Sequence, residues 1–70
     1  MNKTDFLAAL EKRLKKLKKA DRSRYLDYYS EMIDDYTEDG CTEQEAIRRI
    51  GTPGDIAHEI LAEQKDSPEA

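Results

Sequence analysis

Residues 20–40 read ADRSRYLDYYSEMIDDYTEDG and hold all four tyrosines of the chain. On a helical wheel, Tyr25, Leu26, Tyr28, Tyr29, Met32, Ile33 and Tyr36 share one broad arc. Ser23, Arg24, Asp27, Ser30, Glu31, Asp34, Asp35 and Glu38 cover the rest. An arc this wide suits a helix contacted by several neighbours, so 20–39 is the expected central helix of a small bundle. Asp39-Gly40 marks its end, because glycine adopts the left-handed conformation that closes a helix.

Working outward toward the N-terminus, residues 2–18 read as the first helix. Asn2 or Thr4 supplies an N-cap and Asp5 complements the positive end of the helix. Leu7, Leu10, Leu14 and Leu17 step by three, four and three with Phe6 alongside, a core-facing stripe. Lys15, Lys16, Lys18 and Lys19 would complement its C-terminal dipole, and a short connection is expected near residues 18–21.

Toward the C-terminus, Thr42-Glu43-Gln44-Glu45 is a capping-box sequence that opens a third helix over 43–50. Ala46, Ile47 and Ile50 form its apolar face and Gly51 its stop. Thr52-Pro53 restarts the chain, with threonine as N-cap and proline at the first helical position. The fourth helix, 53–64, should bury Ile56, Ala57, Ile60 and Leu61. Residues 65–70 contain Ser67-Pro68 and no apolar anchor, so they read as a flexible tail or the start of a linker. The expected fold is all-α: one compact four-helix domain over 1–64, with two short helices packed across a long pair.

Seventy residues, 37% hydrophobic and 40% charged, support one domain with a small core. The periodicity of the apolar residues argues against disorder. One cysteine, Cys41, excludes an internal disulfide and fits a reducing, cytosolic setting. The N-terminus lacks the pattern of a signal peptide, and no apolar run reaches the ~18 residues of a membrane span. Charge is unevenly placed. Residues 1–24 carry nine Lys/Arg and three acids, whereas residues 25–70 carry three Lys/Arg and thirteen acids. Two electrostatic faces are expected, one able to meet an anionic surface.

Candidate chemistry is sparse. Counted from Asp35 as a calcium loop, Gly40 falls at the required sixth position, but the twelfth is Ala46 instead of a bidentate Glu. The segment is better read as an acid-rich helix end. His58 has no second His or Cys at a metal-ligand spacing and reads as a surface histidine. Cys41 has acidic neighbours that disfavour a thiolate, so it reads as a half-buried structural residue. With no nucleophile–base set or phosphate loop, no catalytic residue, metal ligand or cofactor site is assigned. The fourth helix offers Asp55, His58, Glu59 and Glu63 where a DNA-recognition helix needs basic or amide side chains, so direct nucleic-acid binding is not expected.

Two surfaces remain as candidates for interaction. Lys12, Arg13, Lys15, Lys16, Lys18 and Lys19 form a basic cluster suited to an acidic partner protein or to anionic lipid. Near a membrane surface each such charge contributes about 1 kcal/mol. Tyr25, Tyr29 and Tyr36 read as core residues whose hydroxyls reach the domain edge. Tyr28, at the flank of the arc, is the tyrosine most suited to an interface.

Two stretches together resemble the HAAS family. The first is N-K-x-x-F-L-x-x-L from Asn2, followed by L-x-x-L, Asp21-Arg22 and Leu26-x-Tyr28-Tyr29. The second is Glu38-Asp39-Gly40 followed by E-x-x-A-I-x-x-I-G-x-P-x-x-I-A-x-E-I from Glu43 to Ile60. Family members usually carry proline after the last leucine of helix one, where this chain has Lys18. The resemblance implies a bacterial, cytoplasmic, non-catalytic helical domain, usually placed before membrane-spanning helices. It further implies a signalling role beside PadR-type transcription regulators. Self-association is expected on other grounds, because so small a core gives marginal stability alone.

Overall fold

The computed structural model describes residues 1–65 of the chain. Four helices follow one another: α1 (Lys3–Arg13), α2 (Lys19–Glu38), α3 (Glu43–Ile50) and α4 (Pro53–Lys65). The all-α expectation holds. Of the tail expected over 65–70, Lys65 is instead the last residue of α4, and residues 66–70 lie outside the described residues.

The helix starts follow the sequence signals closely. Asn2 caps α1, its Oδ1 accepting from the Asp5 N–H at 2.8 Å. At α3 the Thr42 hydroxyl accepts from the Glu45 N–H at 3.0 Å, and the Glu45 carboxylate accepts from the Thr42 N–H at 3.0 Å. Both halves of the capping box are therefore formed. Thr52 Oγ1 accepts from the Asp55 N–H at 3.1 Å, with Pro53 buried at the first position of α4.

The end of α2 is a Schellman closure. Cys41 N–H donates to the Tyr36 carbonyl at 3.0 Å and Gly40 N–H to the Thr37 carbonyl at 3.1 Å. These two bonds satisfy carbonyls that the helix would otherwise orphan. They require the positive φ of 107° at Gly40. Asp35 and Thr37 thus belong to the last turn of α2, not to a loop able to wrap a cation.

Two expectations are corrected. The first helix ends at Arg13, not near residue 18. Leu14 N–H donates to the Leu10 and Glu11 carbonyls, both at 3.1 Å, and Leu17 N–H donates to the Leu14 carbonyl at 3.0 Å. The chain tightens into i→i+3 turns here, in which every third residue returns to the same side. The step from Leu14 to Leu17 fits that turn as well as it fits a helix, so spacing alone misplaced the boundary. The Arg22 guanidinium then donates to the Leu17 carbonyl at 3.3 Å, fixing the entry to α2.

The second correction concerns the centre of the bundle. Phe6, Leu10 and Leu14 are fully buried, whereas Ile33 is the only buried residue of α2. Ala46, Ile47, Ile56, Ala57 and Ile60 complete the core. Helix α1 packs against α2, α3 and α4, while among the described residues α2 has no backbone approach to α4. The hub is therefore α1. Being also shorter than α4, at 11 residues against 13, it is not one of a long pair.

The wide arc of α2 is wide for a different reason than expected. Leu26 and Ile33 face the core, Tyr25, Tyr29 and Tyr36 are half-buried at its edge, and Tyr28 points to solvent. Lys3 ties the start of α1 to its neighbours. Its ammonium meets Asp34 of α2 at 2.8 Å, and its backbone N–H donates to the Glu43 carboxylate of α3 at 2.7 Å. Arg49 of α3 lies over the Tyr36 ring, 5.9 Å from its centroid. Among the described residues, no helix is long and apolar enough to cross a membrane.

Candidate interaction surface

The six basic candidates gather at one end of the domain, around the α1–α2 turn. Lys12 and Arg13 occupy the last turn of α1, Lys15 and Lys16 the tight turn, and Lys18 and Lys19 the start of α2. All six are exposed. Their ammonium and guanidinium groups make no ion pair among the described residues.

Because α1 ends early, two of these residues change role. Lys18 is the N-cap of α2 and makes no side-chain capping bond, and Lys19 is its first residue. Both lie at the positive end of a helix dipole, where a cation is disfavoured, instead of complementing the end of α1. Asp21 in the first turn of α2 offsets part of that cost. Lys12 and Arg13 do sit at the favourable end of α1.

Arg13 also leans over the start of α4. Its guanidinium carbon lies 3.6 Å from where a Cβ would be on Gly54. The missing side chain at Gly54 makes room for it. Nothing in the spacing of the sequence pairs these two positions, since that requires knowing that α4 lies beside α1.

An open groove of about 550 Å³ runs between the basic turn and α4. Leu17, Leu61 and Ala62 give it an apolar floor, and Lys16, Lys18 and His58 stand at its rim with Asp21. His58 is an exposed residue of α4, as expected, but the fold sets it beside two lysines that are forty residues away in sequence. Sequence reasoning missed this groove. Its only trace is the pair of half-buried leucines, Leu17 and Leu61, that were assigned to the core.

Tyr28 lies outside the groove, on the outer face of α2, and is 58% exposed. Its ring meets the Tyr29 ring edge-on, with centroids 4.9 Å apart at 84°. That geometry suits the opposite charges of an aromatic face and edge. A second shallow depression beside it is lined by Asp21, Arg24, Tyr25 and Tyr29, so Asp21 borders both hollows. Burial raises the Tyr29 pKa above its usual 10.0, and Tyr28, Glu59 and Glu63 add to the shift. The tyrosine cluster and the acidic side of α4 therefore share one electrostatic environment.

This surface presents charge and exposed aromatic area. Among the described residues no three His, Cys, Asp or Glu side chains gather into a metal site. Cys41 is half-buried beside the Schellman closure.

No curated protein and no solved structure matches the chain significantly. A family model does: the HAAS model matches residues 5–59, from the first turn of α1 into α4. That span includes the core stripe of α1, the whole of α2, the capping box and Gly51. The chain belongs to the HAAS family.

Proposed function

We propose that this chain is a non-enzymatic helical docking domain whose basic end engages a regulatory protein. The observation that carries the reading is the cluster of six exposed cations around the α1–α2 turn, unpaired among the described residues, beside an apolar-floored groove. Two lysines are held at a helix N-terminus, where they cost stability unless a negative partner offsets them. An acidic helix or loop with an apolar residue at its centre matches this combination. It would lay carboxylates against Lys15, Lys16 and Lys18 and its apolar residue against Leu17 and Leu61.

The HAAS resemblance supplies the candidate partner, a PadR-type transcription regulator. It also supplies the candidate setting, the cytoplasmic side of a bacterial membrane as part of a longer chain. Regulation then works by occupancy: the domain binds the regulator and competes with its other contacts.

The test is co-purification of the regulator with the domain from cells that express both. Wild type should retain it, and Lys15→Gln, Lys16→Gln and Lys18→Gln together should release it at physiological salt. Equal recovery by both proteins would refute docking through the basic end.

The same cations favour a second reading, an electrostatic adaptor bound to anionic lipid. Co-sedimentation with vesicles separates the two. Binding to anionic vesicles, absent with neutral ones and lost in the triple variant, would support the adaptor.

A further inference from the structure

We propose that the outer face of α2 pairs antiparallel with the same face of a second copy of this chain. The face is centred on Tyr28, which sits at the middle of the helix Lys19–Glu38. With Tyr28 as origin, Arg24, Tyr25, Glu31 and Met32 lie within about 60° of it at 100° per residue. Leu26 and Ile33, which face the core, lie on the opposite side. Tyr28 is exposed and Met32 is half-buried, yet neither packs against the core cluster. This side of α2 thus carries an apolar patch, Tyr28 and Met32, that lies outside the core cluster.

Charge selects the occupant and its direction. Residues 18–24 hold four basic side chains and one acid, whereas residues 27–39 hold six acids and no base. A parallel copy would set acid against acid, and an antiparallel copy sets the basic half of each helix against the acidic half of the other. With a two-fold axis near Tyr28, residues on the same side of the helix and within one residue of equal distance before and after Tyr28 oppose one another.

Side positions agree as well as distances along the helix. Arg24 and Glu31 lie to the same side of Tyr28, so each Arg24 meets Glu31 of the second copy. Tyr25 and Met32 lie to the other side, so each Tyr25 meets Met32 of the second copy. That methionine falls over the depression between Tyr25 and Tyr28, where a thioether packs favourably on aromatic rings. Asp21 opposite Asp35 is the like-charge pairing in the seam, and it limits the strength of the contact. One helix pair also buries less than the roughly 800 Å² per partner of a standard interface. The association is therefore transient and appears at high concentration.

This face is centred away from the groove and meets the basic turn only at its N-terminal end, and its test reads no regulator or lipid. Sedimentation equilibrium on the full chain at concentrations up to about 1 mM should show monomer and dimer. Arg24→Glu and Glu31→Arg should each weaken dimerisation about tenfold. An exposed pair contributes little, but it occurs twice by symmetry and turns repulsive on reversal. The two substitutions together should restore wild-type association. In a Cys41→Ser background, Tyr28→Cys should oxidise to a covalent dimer, while Ser23→Cys on the far side of the helix should not. All the α2 sites are exposed, and circular dichroism verifies that each variant folds. A monomer at every concentration overturns the proposal. So does a dimer indifferent to both single reversals, or a double variant weaker than either.

Discussion

Gly40 ends α2 with a φ of 107°, in a conformation that side-chain-bearing residues resist. A Cβ there would meet nothing within 4 Å, so the cost of substitution is conformational and not steric. Gly40→Ala should destabilise the domain by about 1 kcal/mol, and Gly40→Asn by less, read from urea unfolding midpoints. Tyr29 carries the pH dependence at this scale. Burial and its neighbours raise its pKa, so the folded chain holds that proton more tightly than the unfolded one. Below pH 10 both states are protonated and the advantage is complete. As pH rises past 10 the unfolded chain ionises first, and stability falls. Melting temperature should therefore drop more steeply above pH 10 in wild type than in Tyr29→Phe. Tyr28 behaves differently. Exposed and away from the core, it should tolerate Tyr28→Ala within about 0.5 kcal/mol, so any loss of binding in that variant reports recognition and not unfolding.

At the scale of elements, the starts and stops with dedicated chemistry were legible in the sequence. Asn2, Gly40, the Thr42–Glu45 box, Gly51 and Thr52-Pro53 each act through a local bond or a local φ that neighbouring residues determine. The end of α1 was not legible, because no such residue stands there. Leucine spacing continues through Leu17, and the turn is set by Leu14 and Leu17 anchoring on a core formed by distant helices. Lys18 shows what is missing. Its φ of −60° and ψ of 150° match the conformation that proline favours, and the HAAS resemblance places proline there. Lys18→Pro should raise stability by about 0.4–1 kcal/mol through the unfolded state, measured by thermal or urea unfolding. It also removes one cation from the basic end. Thr42→Ala should cost about 1 kcal/mol in the same assay, because it orphans the Glu45 N–H.

At the scale of the whole molecule, the order of packing differs from the order of prominence in the sequence. The tyrosine-rich α2 is the longest element, but Phe6 and Leu10 of α1, with Leu14 at its C-cap, hold the bundle together. Periodicity shows which residues lie on one face of a helix and says nothing about how many neighbours cover that face. Leu10→Ala, at a fully buried site on the hub, should cost about 2–5 kcal/mol, a large share of the roughly 5–15 kcal/mol total for a domain. Leu26→Ala, half-buried on α2, should cost clearly less. The candidate site was legible to the same degree. Its charges could be read directly, whereas the groove, the lean of Arg13 over Gly54 and the nearness of His58 depend on α4 lying beside the α1–α2 turn.

Docking of a regulator at that turn is the central functional claim, and amide chemical-shift mapping tests it most directly. On titration with a PadR-type regulator, shifts should concentrate on Lys12–Lys19 and on His58, Leu61 and Ala62 across the groove. Shifts centred instead on α3, or an unchanged spectrum at saturating regulator, would contradict it.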